Sequence, residues 1–593
     1  MKLQWLVIGI LGATALFGQA PAPDNGDNGP ADEPGRAVAR LAIVNGDASV
    51  RRGDSNEWVA AAVNAPLMTG DQVSVAAGGR AEIQIDAAHY LRVGPDTELR
   101  LADLENGHYQ VQISHGSIAW RVLRDSQAQA EIDTPLVGVH PGAQSMVRVE
   151  VDQDGSSHIT VRRGGAEVST QKGSEQLTAN NTMDVRGDVN DPEFQVVAAA
   201  GRDDFDNWSD QRDNYLLKAQ SQRYVTEDVH GVEDLDSYGR WDYDPAYGWV
   251  WAPQVAAGWA PYQDGRWVWE DYYGWTWVDY SPWGWAPFHY GYWYNRVGYG
   301  WSWYPGSRVG HVWWRPAMVG FFGWGGGVSV GFGFSNIGWV PLGPREVFRP
   351  WYGRGYHGGV IVARDVSVTS FRNAGYARGV TAVDFQRGNF RNSTVVDRGT
   401  LARASFVHGT VPMTPTAQNL RFSNRVASVG GASVARQRFY GNSPAAGARR
   451  TPFVQQQNNV RAAVTGQRQP LAGRSPAQNP NWSRFQSRPA GANTPTPSAP
   501  RLDRFGGVPG RQAAPAQMPA QNAPRRLEVS PQILRQRPEA NQQRNDERPQ
   551  APRQASPQGG GGGPRGGGFG GGSAPRGGHG GGPAGGNGGH GRR

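Results

Sequence analysis

The chain has 593 residues, and its 83 Gly and 42 Pro exceed the share in an average globular protein, which argues against a single compact domain. It contains no cysteine, which excludes disulfides, thiol catalysis and cysteine-ligated metal sites. The net charge of +8 hides two opposite parts: residues 441–593 carry 21 Arg against 5 acidic residues, whereas residues 1–440 carry 38 basic and 46 acidic residues.

The N-terminus predicts export. An apolar run from Leu3 to Phe17 follows a single lysine and leads to small residues around a cleavage point. This pattern is typical of a secretory signal peptide over residues 1–20, because a membrane-spanning helix needs about 20 apolar residues. An uncleaved anchor is the alternative. Residues 21–39 are mostly polar and rich in Pro and Gly, and they predict a disordered linker.

Residues 40–190 predict an all-β domain. Short runs of alternating apolar and polar residues, such as AEIQI, ELRL, YQVQI and MVRVEV, recur about every 8 to 12 residues. Asn-Gly, Gly-Gly and Asp-Gly pairs lie between these runs, as hairpin turns require. The spacing favours an antiparallel β-sandwich or roll.

Four segments of this domain have the order and spacing of a known family. They are PLMTGDQVSVAAGGRAEIQI, HYLRVGPDTELRL, ISHGSIAWRV and TPLVGVHPGAQSMVRVEV. Through them, residues 40–187 resemble the FecR family, whose periplasmic domain is known from iron-citrate signalling. Regulators of that family carry a cytoplasmic helical segment and a membrane helix before this domain, whereas a signal peptide precedes it here. The resemblance therefore implies the β-domain and not sigma-factor regulation.

A linking helix is predicted over residues 203–225. Phe205, Trp208 and Leu216 fall on one face, and acidic residues fill the first turn, where the helix dipole favours them. We expect this helix to pack on a neighbouring domain, and a partner-binding helix is the alternative.

Residues 238–315 contain three copies of a 26-residue repeat. A copy reads G-x-W, then Y-G-W-x-W, then W-A-P, and the third copy lacks the last element. A fixed period of this length indicates an array of small supersecondary units, and alternation within each unit predicts a hairpin. We expect a twisted antiparallel meander with stacked aromatic rows.

The tryptophan content suggests a binding surface. Of 23 Trp, 18 lie between residues 241 and 351, more than a core of about 110 residues is expected to bury. Two interpretations stay open: the rings hold a thin sheet together, or some stack on sugar rings, peptide or another copy of the chain. The candidate binding surface comprises Trp241, Trp249, Trp251, Trp259, Trp267, Trp269, Trp275, Trp277, Trp285, Trp293, Trp301 and Trp303.

The rest of the chain divides into an extension and a tail. Residues 316–440 predict a Gly-rich β extension: residues 316–353 alternate Gly with Val or Phe, and residues 354–440 keep strand-like pieces such as VIVARDVSV and GVTAVDF. With the segments WVPLGPRE and PWY, residues 203–400 resemble an uncharacterised family of Trp- and Tyr-rich exported bacterial domains that often follow FecR-like domains. That resemblance implies no known activity. Residues 441–593 are rich in Pro, Gln, Arg and Gly and predict a long disordered tail.

No catalytic, cofactor or metal motif is recognised. The 12 His form no H-x-x-x-H or H-x-E pair, and the Gly-rich segment GWGGGVSVGFGF lacks the Lys-Ser or Lys-Thr of a phosphate loop. Acidic pairs such as Asp242 with Asp244, or Glu270 with Asp271, lie in or beside predicted turns, where solvated charge explains them better than catalysis. We expect no enzyme, no cofactor and no metal.

These patterns together predict a mainly β, exported, non-enzymatic protein of the cell envelope. Its aromatic surface would bind or assemble with an envelope polysaccharide or protein, and its tail would contact anionic surfaces. It would be periplasmic, outer-membrane-associated or extracellular, with no transmembrane segment after signal cleavage, and export argues against nucleic acid as a partner. The alternatives are a FecR-like sensory domain that relays a signal to a membrane partner, and a glycoside hydrolase acting through Asp242 or Glu270.

Overall fold

The structure is a computed structural model that describes residues 37–105, 107–170, 172–308, 311–326, 334–352, 361–363, 366–408, 411, 413–428, 439–441 and 450–465. All of them belong to one compact unit, which spans residues 1–535. The predicted signal peptide, most of the predicted linker and residues 466–593 lie outside the described residues. The predicted mainly β fold class is confirmed. None of the helices described is both long and apolar enough to cross a membrane.

The N-terminal domain is a β-sandwich. Its strands are β1 (Ala39–Asn45), β2 (Ala48–Arg51), β3 (Trp58–Ala60), β4 (Ala65–Leu67), β5 (Gln72–Val75), β6 (Arg80–Gln84), β7 (His89–Val93), β8 (Thr97–Asp103), β9 (His108–Val122), β10 (Gln129–Asp133), β11 (Gly138–Pro141), β12 (Met146–Val151), β13 (Ser157–Arg163), β14 (Gly165–Thr170), β15 (Gly173–Thr178), β16 (Asn181–Asp188) and β17 (Asp191–Ala198).

Two sheets share the long strand β9. One sheet has the order β17-β16-β13-β12-β9-β7-β6-β1-β4, and the other has the order β3-β2-β5-β8-β9-β10-β11-β14-β15. β9 crosses between the sheets at Gly116, which has a φ of 97° and lies so close to Thr97 that a Cβ would collide with it. Aliphatic side chains from both sheets, such as Leu41, Val73 and Val111, fill the interior.

The predicted linking helix is α1 (Asp204–Lys218), followed by a 3₁₀ helix at Ser221–Tyr224. Asp203 forms a capping box with Asp206, which fixes the start of α1. The apolar face of α1 packs on the outer face of the sandwich, where Trp208 contacts Ala119 and Met146. The carboxylate of Asp213 accepts hydrogen bonds from Arg92 at 2.7 Å and Arg121 at 2.5 Å, so this helix is held by buried ion pairs as well.

The second domain, called the aromatic domain below, contains the three repeats and the sheet that follows them. Its elements are β18 (Gly239–Asp244), β19 (Gly248–Pro253), β20 (Gly265–Glu270), β21 (Gly274–Asp279), α2 (Ala286–His289), β22 (Tyr292–Arg296), β23 (Gly300–Tyr304), β24 (Val319–Trp324), β25 (Asn336–Pro341), β26 (Ile361–Ala363), β27 (Arg378–Thr381), α3 (Ala382–Arg387), β28 (Thr394–Val395), α4 (Arg398–Arg403) and β29 (Ser405–His408). Short 3₁₀ helices lie at Glu233–Ser237, Val368–Ser370, Ala374–Tyr376, Phe390–Asn392 and Ala417–Leu420.

The expected meander is wrong, because the middle hairpin leaves the sheet. Hairpin 1 (β18–β19) pairs with hairpin 3 (β22–β23) through β19 and β23, whereas hairpin 2 (β20–β21) forms a separate two-stranded sheet. Contacts with the N-terminal sandwich draw hairpin 2 away. Arg52 donates to the carbonyl of Trp269 at 3.0 Å, and Asn64 donates to the carbonyl of Asp279 at 3.0 Å.

The predicted β extension is a six-stranded sheet that also contains helices. Its order is β26-β29-β24-β25-β27-β28. The segment GVTAVDF, predicted to be strand-like, ends β27 and then forms α3, because the Thr381 side chain accepts a hydrogen bond from the Asp384 amide and caps the helix. Gly388, with a φ of 72°, ends α3.

The start of the predicted disordered tail is ordered. Residues 450–465 contain α5 (Phe453–Thr465), which buries Phe453 and Val460 in the core of the aromatic domain. The Pro- and Gln-rich composition concealed an amphipathic stretch, in which these two side chains lie seven positions apart on one helical face.

Candidate functional site

The three hairpins have the same register. The Trp of each G-x-W motif lies directly opposite the last Trp of the Y-G-W-x-W motif in its own copy, as in Trp241 with Trp251, Trp267 with Trp277, and Trp293 with Trp303. Each copy therefore places a pair of indoles at the same point of its hairpin, where cross-strand aromatic pairs stabilise a sheet.

The glycine of the G-x-W motif is required by one of these indoles. The ring of the last Trp lies across the glycine on the opposite strand, so a Cβ on Gly239, Gly265 or Gly291 would lie 2.5–2.8 Å from ring atoms. No larger residue fits there without moving the ring. The spacing of the repeat is thus a packing requirement within each hairpin.

Most of the candidate surface is buried. Nine of its twelve tryptophans are at most 6% exposed, so for these nine the first interpretation, in which the rings hold the sheets together, describes the structure. These nine are Trp251, Trp267, Trp269, Trp275, Trp277, Trp285, Trp293, Trp301 and Trp303. Trp249 is 40% exposed, and Trp241 and Trp259 are half-buried.

The rings are buried because other parts of the chain cover the repeats. Trp267 packs on Phe321 of β24 and Trp339 of β25, with ring centroids 4.8 and 5.8 Å apart, and Trp275 packs on Phe385 of α3 at 4.7 Å. Several indole N–H groups donate to backbone carbonyls, which offsets the cost of burying them. The donor–acceptor pairs include Trp251 to Leu235, Trp293 to Pro287, Trp303 to Tyr290 and Trp339 to Tyr262.

An accessible aromatic cluster lies on hairpin 1 and on the 3₁₀ helix Ser221–Tyr224 beside it. We call Tyr224, Trp241, Tyr243 and Trp249 the exposed aromatic patch. Tyr224 stacks on Trp241 with centroids 4.5 Å apart and lies 4.8 Å from Trp249, which meets Tyr243 edge-on at 5.8 Å. Tyr243 is 64% exposed. Neither tyrosine belongs to the candidate surface predicted from the sequence, although Tyr243 lies directly opposite Trp249 in the hairpin.

Charged residues of hairpin 1 lie on the other face of β18 from Trp241 and Tyr243, because side chains alternate along a strand. Arg296 lies 3.7 Å from Asp242 and 3.6 Å from Asp244, and Asp244 also accepts a hydrogen bond from Tyr294 at 2.8 Å. Arg240 lies 3.3 Å from Asp242 and is mostly exposed. These ion pairs are therefore not part of the exposed aromatic patch.

The other acidic candidate, Glu270, lies inside the molecule. Its two carboxylate oxygens each accept a hydrogen bond from Arg52 at 2.7 Å. Burial raises the pKa of Glu270 to about 8, although Arg52 and Arg450 act to lower it. Asp279, on the same hairpin, has its pKa raised to about 7 by burial. Hairpin 2 therefore holds two buried carboxyl groups that are easier to protonate than usual.

The histidines do not assemble into a metal centre. His89 pairs with Asp86 at 2.9 Å, and His158 pairs with Asp184 at 2.8 Å, so each has a local partner. Within the described part of the chain, no group of three or more His, Asp or Glu side chains is arranged to hold a metal ion.

Buried contacts join the two domains. Arg40 of the sandwich donates to Asp234 at 2.7 Å and to the carbonyl of Pro282 at 2.9 Å. Tyr90 donates to Glu233 at 3.1 Å. Together with the contacts of Arg52 described above, these bonds attach the sandwich to the 3₁₀ helix Glu233–Ser237 and to hairpin 2.

Family comparisons match both domains. Residues 71–167 match the family described as FecR protein, and residues 232–346 match a family of unknown function, DUF6600. The FecR match lies in the N-terminal sandwich and the DUF6600 match in the aromatic domain. We call the whole sandwich, β1 to β17, the FecR domain below. The FecR match extends from the start of β5 into β14, and the DUF6600 match covers all three hairpins, β24 and β25. The two resemblances seen in the sequence are confirmed.

Two crystal structures of a "putative anti-sigma factor" from Parabacteroides distasonis are similar to part of the chain. One is 16% identical and covers 28% of this chain and 75% of its own. The other is 15% identical and covers 31% of this chain and 99% of its own. The TM-score is 0.20 in both cases, and likeness at this level says nothing about activity or partners. The comparison with curated proteins gave no match.

Proposed function

We propose that this protein is an exported, non-enzymatic sensory protein of the cell envelope whose FecR domain relays a signal to a membrane partner. The observation that carries the proposal is the FecR match over residues 71–167. This was the alternative interpretation of the sequence. It is preferred to a general aromatic binding surface because nine of the twelve candidate tryptophans are buried.

The contacts between the domains support a relay. A signal passes between two domains only if a change in one alters the other, and buried hydrogen-bonded ion pairs are costly to break singly. Arg40, Arg52 and Tyr90 of the FecR domain each bond to a carboxylate of the aromatic domain. A ligand that moves the aromatic domain would therefore act on the FecR domain through these bonds.

The FecR domain also has a free edge for a protein partner. Strand β17 pairs with β16 on one side and ends its sheet on the other, within the part of the chain that is described. Val196 of β17 is 45% exposed. An exposed edge of this kind can accept a strand from another protein.

Cross-linking in the cell envelope tests the relay. A photo-reactive residue at Val196 of the FecR domain, or at Leu217 at the exposed end of α1, is expected to capture a membrane protein. The same residue at Val297, in the turn of hairpin 3, serves as a control of similar or greater exposure. Recovery of polysaccharide alone, with no membrane protein cross-linked from Val196 or Leu217, would contradict the proposal.

A glycan is the second candidate ligand, and the exposed aromatic patch favours it. Tyr243 is 64% and Trp249 40% exposed, and aromatic faces of this kind are apolar surfaces on which a sugar ring can stack. Titration with cell-wall glycans is expected to quench Trp fluorescence in the native chain and not in a Trp249→Ala variant. An unchanged spectrum with every glycan would remove this candidate.

The pairing of the acidic residues supports a non-enzymatic function. Asp242 and Asp244 form ion pairs with Arg296, and Glu270 forms a buried ion pair with Arg52. A glycosidase would need a pair of carboxyl groups that reach a bound sugar. Release of reducing ends from envelope glycans that disappears in Asp242→Asn or Glu270→Gln would overturn this part of the proposal.

A further inference from the structure

The junction between the FecR domain and hairpin 2 holds a segment that lies far away in sequence. We call residues 450–465 the clasp, and Asp54, Asp71, Glu270 and Asp271 the acidic pocket. The first two residues of the pocket belong to the FecR domain and the last two to hairpin 2. The clasp contacts the FecR domain and hairpin 2.

The anchor of the clasp is the guanidinium of Arg450. It donates to Asp71 at 2.6 Å, to Asp54 at 3.2 Å and to Glu270 at 3.3 Å, and its side chain is only 4% exposed. Asp271 lies 4.0 Å away. A planar guanidinium can serve several carboxylates at once, which a lysine cannot do as well.

The backbone that follows is held like a bound peptide. The amide of Thr451 donates to Asp271 at 2.7 Å, and the amide of Phe453 donates to the carbonyl of Asp54 at 2.9 Å. Gln456 donates to Asp54 at 3.2 Å and accepts from the indole N–H of Trp269 at 2.6 Å. These contacts fix the direction and register of the clasp.

The helix of the clasp inserts one apolar face. Phe453 and Val460 are buried in the core of the aromatic domain, and Val464 is partly buried against it. Val454, on the opposite face, is 66% exposed. An arginine anchor, main-chain hydrogen bonds and an amphipathic helix are the elements by which protein grooves recognise short helical peptides.

The charge of the pocket defines what can occupy it. Four carboxylates face two guanidinium groups, Arg52 and Arg450, and removal of the clasp leaves Arg52. Buried carboxylates that lose a partner are strongly destabilised, so any ligand of this site must bring a cation. Residues 442–449 join the clasp to the preceding part of the chain, and we call them the tether.

We propose that the junction between the FecR domain and hairpin 2 is a peptide-binding site for an arginine-headed amphipathic helix, and that the clasp is its reversible ligand in cis. The tether raises the local concentration of the clasp at the site. Release of the clasp weakens the junction between the domains, because Asp71 of the FecR domain and Glu270 of hairpin 2 then lose the guanidinium that bridges them. The proposal does not depend on the partner of the FecR domain.

Cutting the tether tests this proposal in the full-length chain. A protease recognition sequence is placed within residues 442–449, the protein is cut after folding, and the two pieces are followed by size-exclusion chromatography over a dilution series. The C-terminal piece is expected to stay with the body at high concentration and to leave it on dilution. A synthetic peptide of residues 448–466 in excess is expected to displace it, while the body keeps its far-UV circular dichroism.

Two variants of the cut protein separate recognition from general packing. Arg450→Gln is expected to weaken retention of the C-terminal piece at least tenfold, and Val454→Ala is expected to leave it unchanged. Equal retention in Arg450→Gln and the parent would overturn the proposal. A C-terminal piece that neither dilution nor the peptide removes, or a body that unfolds as the piece leaves, would also overturn it, because the clasp would then be an integral part of the fold.

Hydrogen exchange in the uncut chain gives a second measurement. Arg450→Gln is expected to speed amide exchange in residues 453–465 and in hairpin 2, with no change in β12 and β13 of the FecR domain. Unchanged exchange in the clasp would contradict a reversible ligand anchored by Arg450.

Discussion

Hairpins 1 and 2 share the motif of the repeat and the same register, yet they lie in different environments. Trp249 of hairpin 1 is 40% exposed, whereas its equivalent in hairpin 2, Trp275, is fully buried. Tyr243 is mostly exposed, whereas its equivalent, Trp269, is covered. The repeat therefore determines how each hairpin folds, and the neighbouring segments determine which hairpin is accessible to a ligand.

The neighbours of hairpin 2 explain the difference. The FecR domain contacts it through Arg52, the clasp through Gln456, and the following sheet through Phe321. Hairpin 1 contacts the 3₁₀ helix that contains Tyr224, and the rings of Tyr243 and Trp249 remain exposed to solvent. Copies of one repeat can thus differ in how much of their aromatic surface is accessible.

Removing the clasp should have the largest effect on this contrast. A chain that ends after residue 441 loses Phe453, Val460 and Arg450, and burial of the two apolar side chains alone is worth about 3 to 6 kcal/mol. We expect its Tm to fall by several degrees, measured by circular dichroism. A chain that ends after residue 465 keeps these contacts and is the control. Equal Tm values for the two truncated chains would contradict the described position of the clasp.

Equivalent tryptophans should differ in their contribution to stability. Trp275→Ala removes a fully buried ring that packs on Phe385, so we expect a loss of about 3–5 kcal/mol in the free energy of unfolding. Trp249→Ala removes a half-exposed ring, and we expect a loss of about 1 kcal/mol or less. Denaturant unfolding measures both, and equal losses would mean that the two hairpins are equally covered.

The glycine of the repeat should be intolerant of a methyl group. In Gly265→Ala the new Cβ would lie 2.4 Å from the carbonyl oxygen of Val278 and 2.5 Å from the ring of Trp277, and the strain of overpacking is expected to cost about 1–3 kcal/mol. Gly375→Ala is a suitable control, because a Cβ there has no neighbour within 4 Å. A stability of Gly265→Ala equal to that of the control would contradict the close packing of the hairpin at this glycine.

Hairpin 2 should also confer a pH dependence on the stability of the protein. Burial raises the pKa of Asp279 from 3.8 to about 7, so the folded protein holds a proton that the unfolded chain releases. The contribution of this group to stability is therefore full below about pH 4 and is lost as the pH rises through 7. Asp279→Asn is expected to flatten the fall in stability over that window. Asp188→Asn, at an exposed position of β16, is the control, and an equal pH dependence in Asp279→Asn and the parent would contradict the assignment.

The local features of this fold could be predicted from the sequence. Alternation and turn residues indicated the β-sandwich, the spacing of Phe205, Trp208 and Leu216 indicated α1, and the 26-residue period indicated the hairpins. Each of these signals lies within a short stretch of chain, where side-chain periodicity reports the secondary structure directly.

The coverage of the hairpins could not be predicted, because it depends on contacts between distant residues. Arg52 and Glu270 are 218 positions apart, and Arg450 and Asp54 are 396 positions apart. Composition also misled at residues 450–465, where Gln and Asn surround the few apolar side chains that enter the core. The exposed aromatic patch could not be predicted for the same reason. Trp249 is exposed and Trp275 buried only because distant segments of the folded chain cover one hairpin and not the other.

Hydroxyl-radical footprinting of the native full-length chain tests the central claim most directly, because mass spectrometry reports oxidation at each ring separately. We predict strong modification of Tyr243 and Trp249 and protection of the equivalent rings, Trp269 and Trp275. Similar modification of Trp249 and Trp275 would contradict the account.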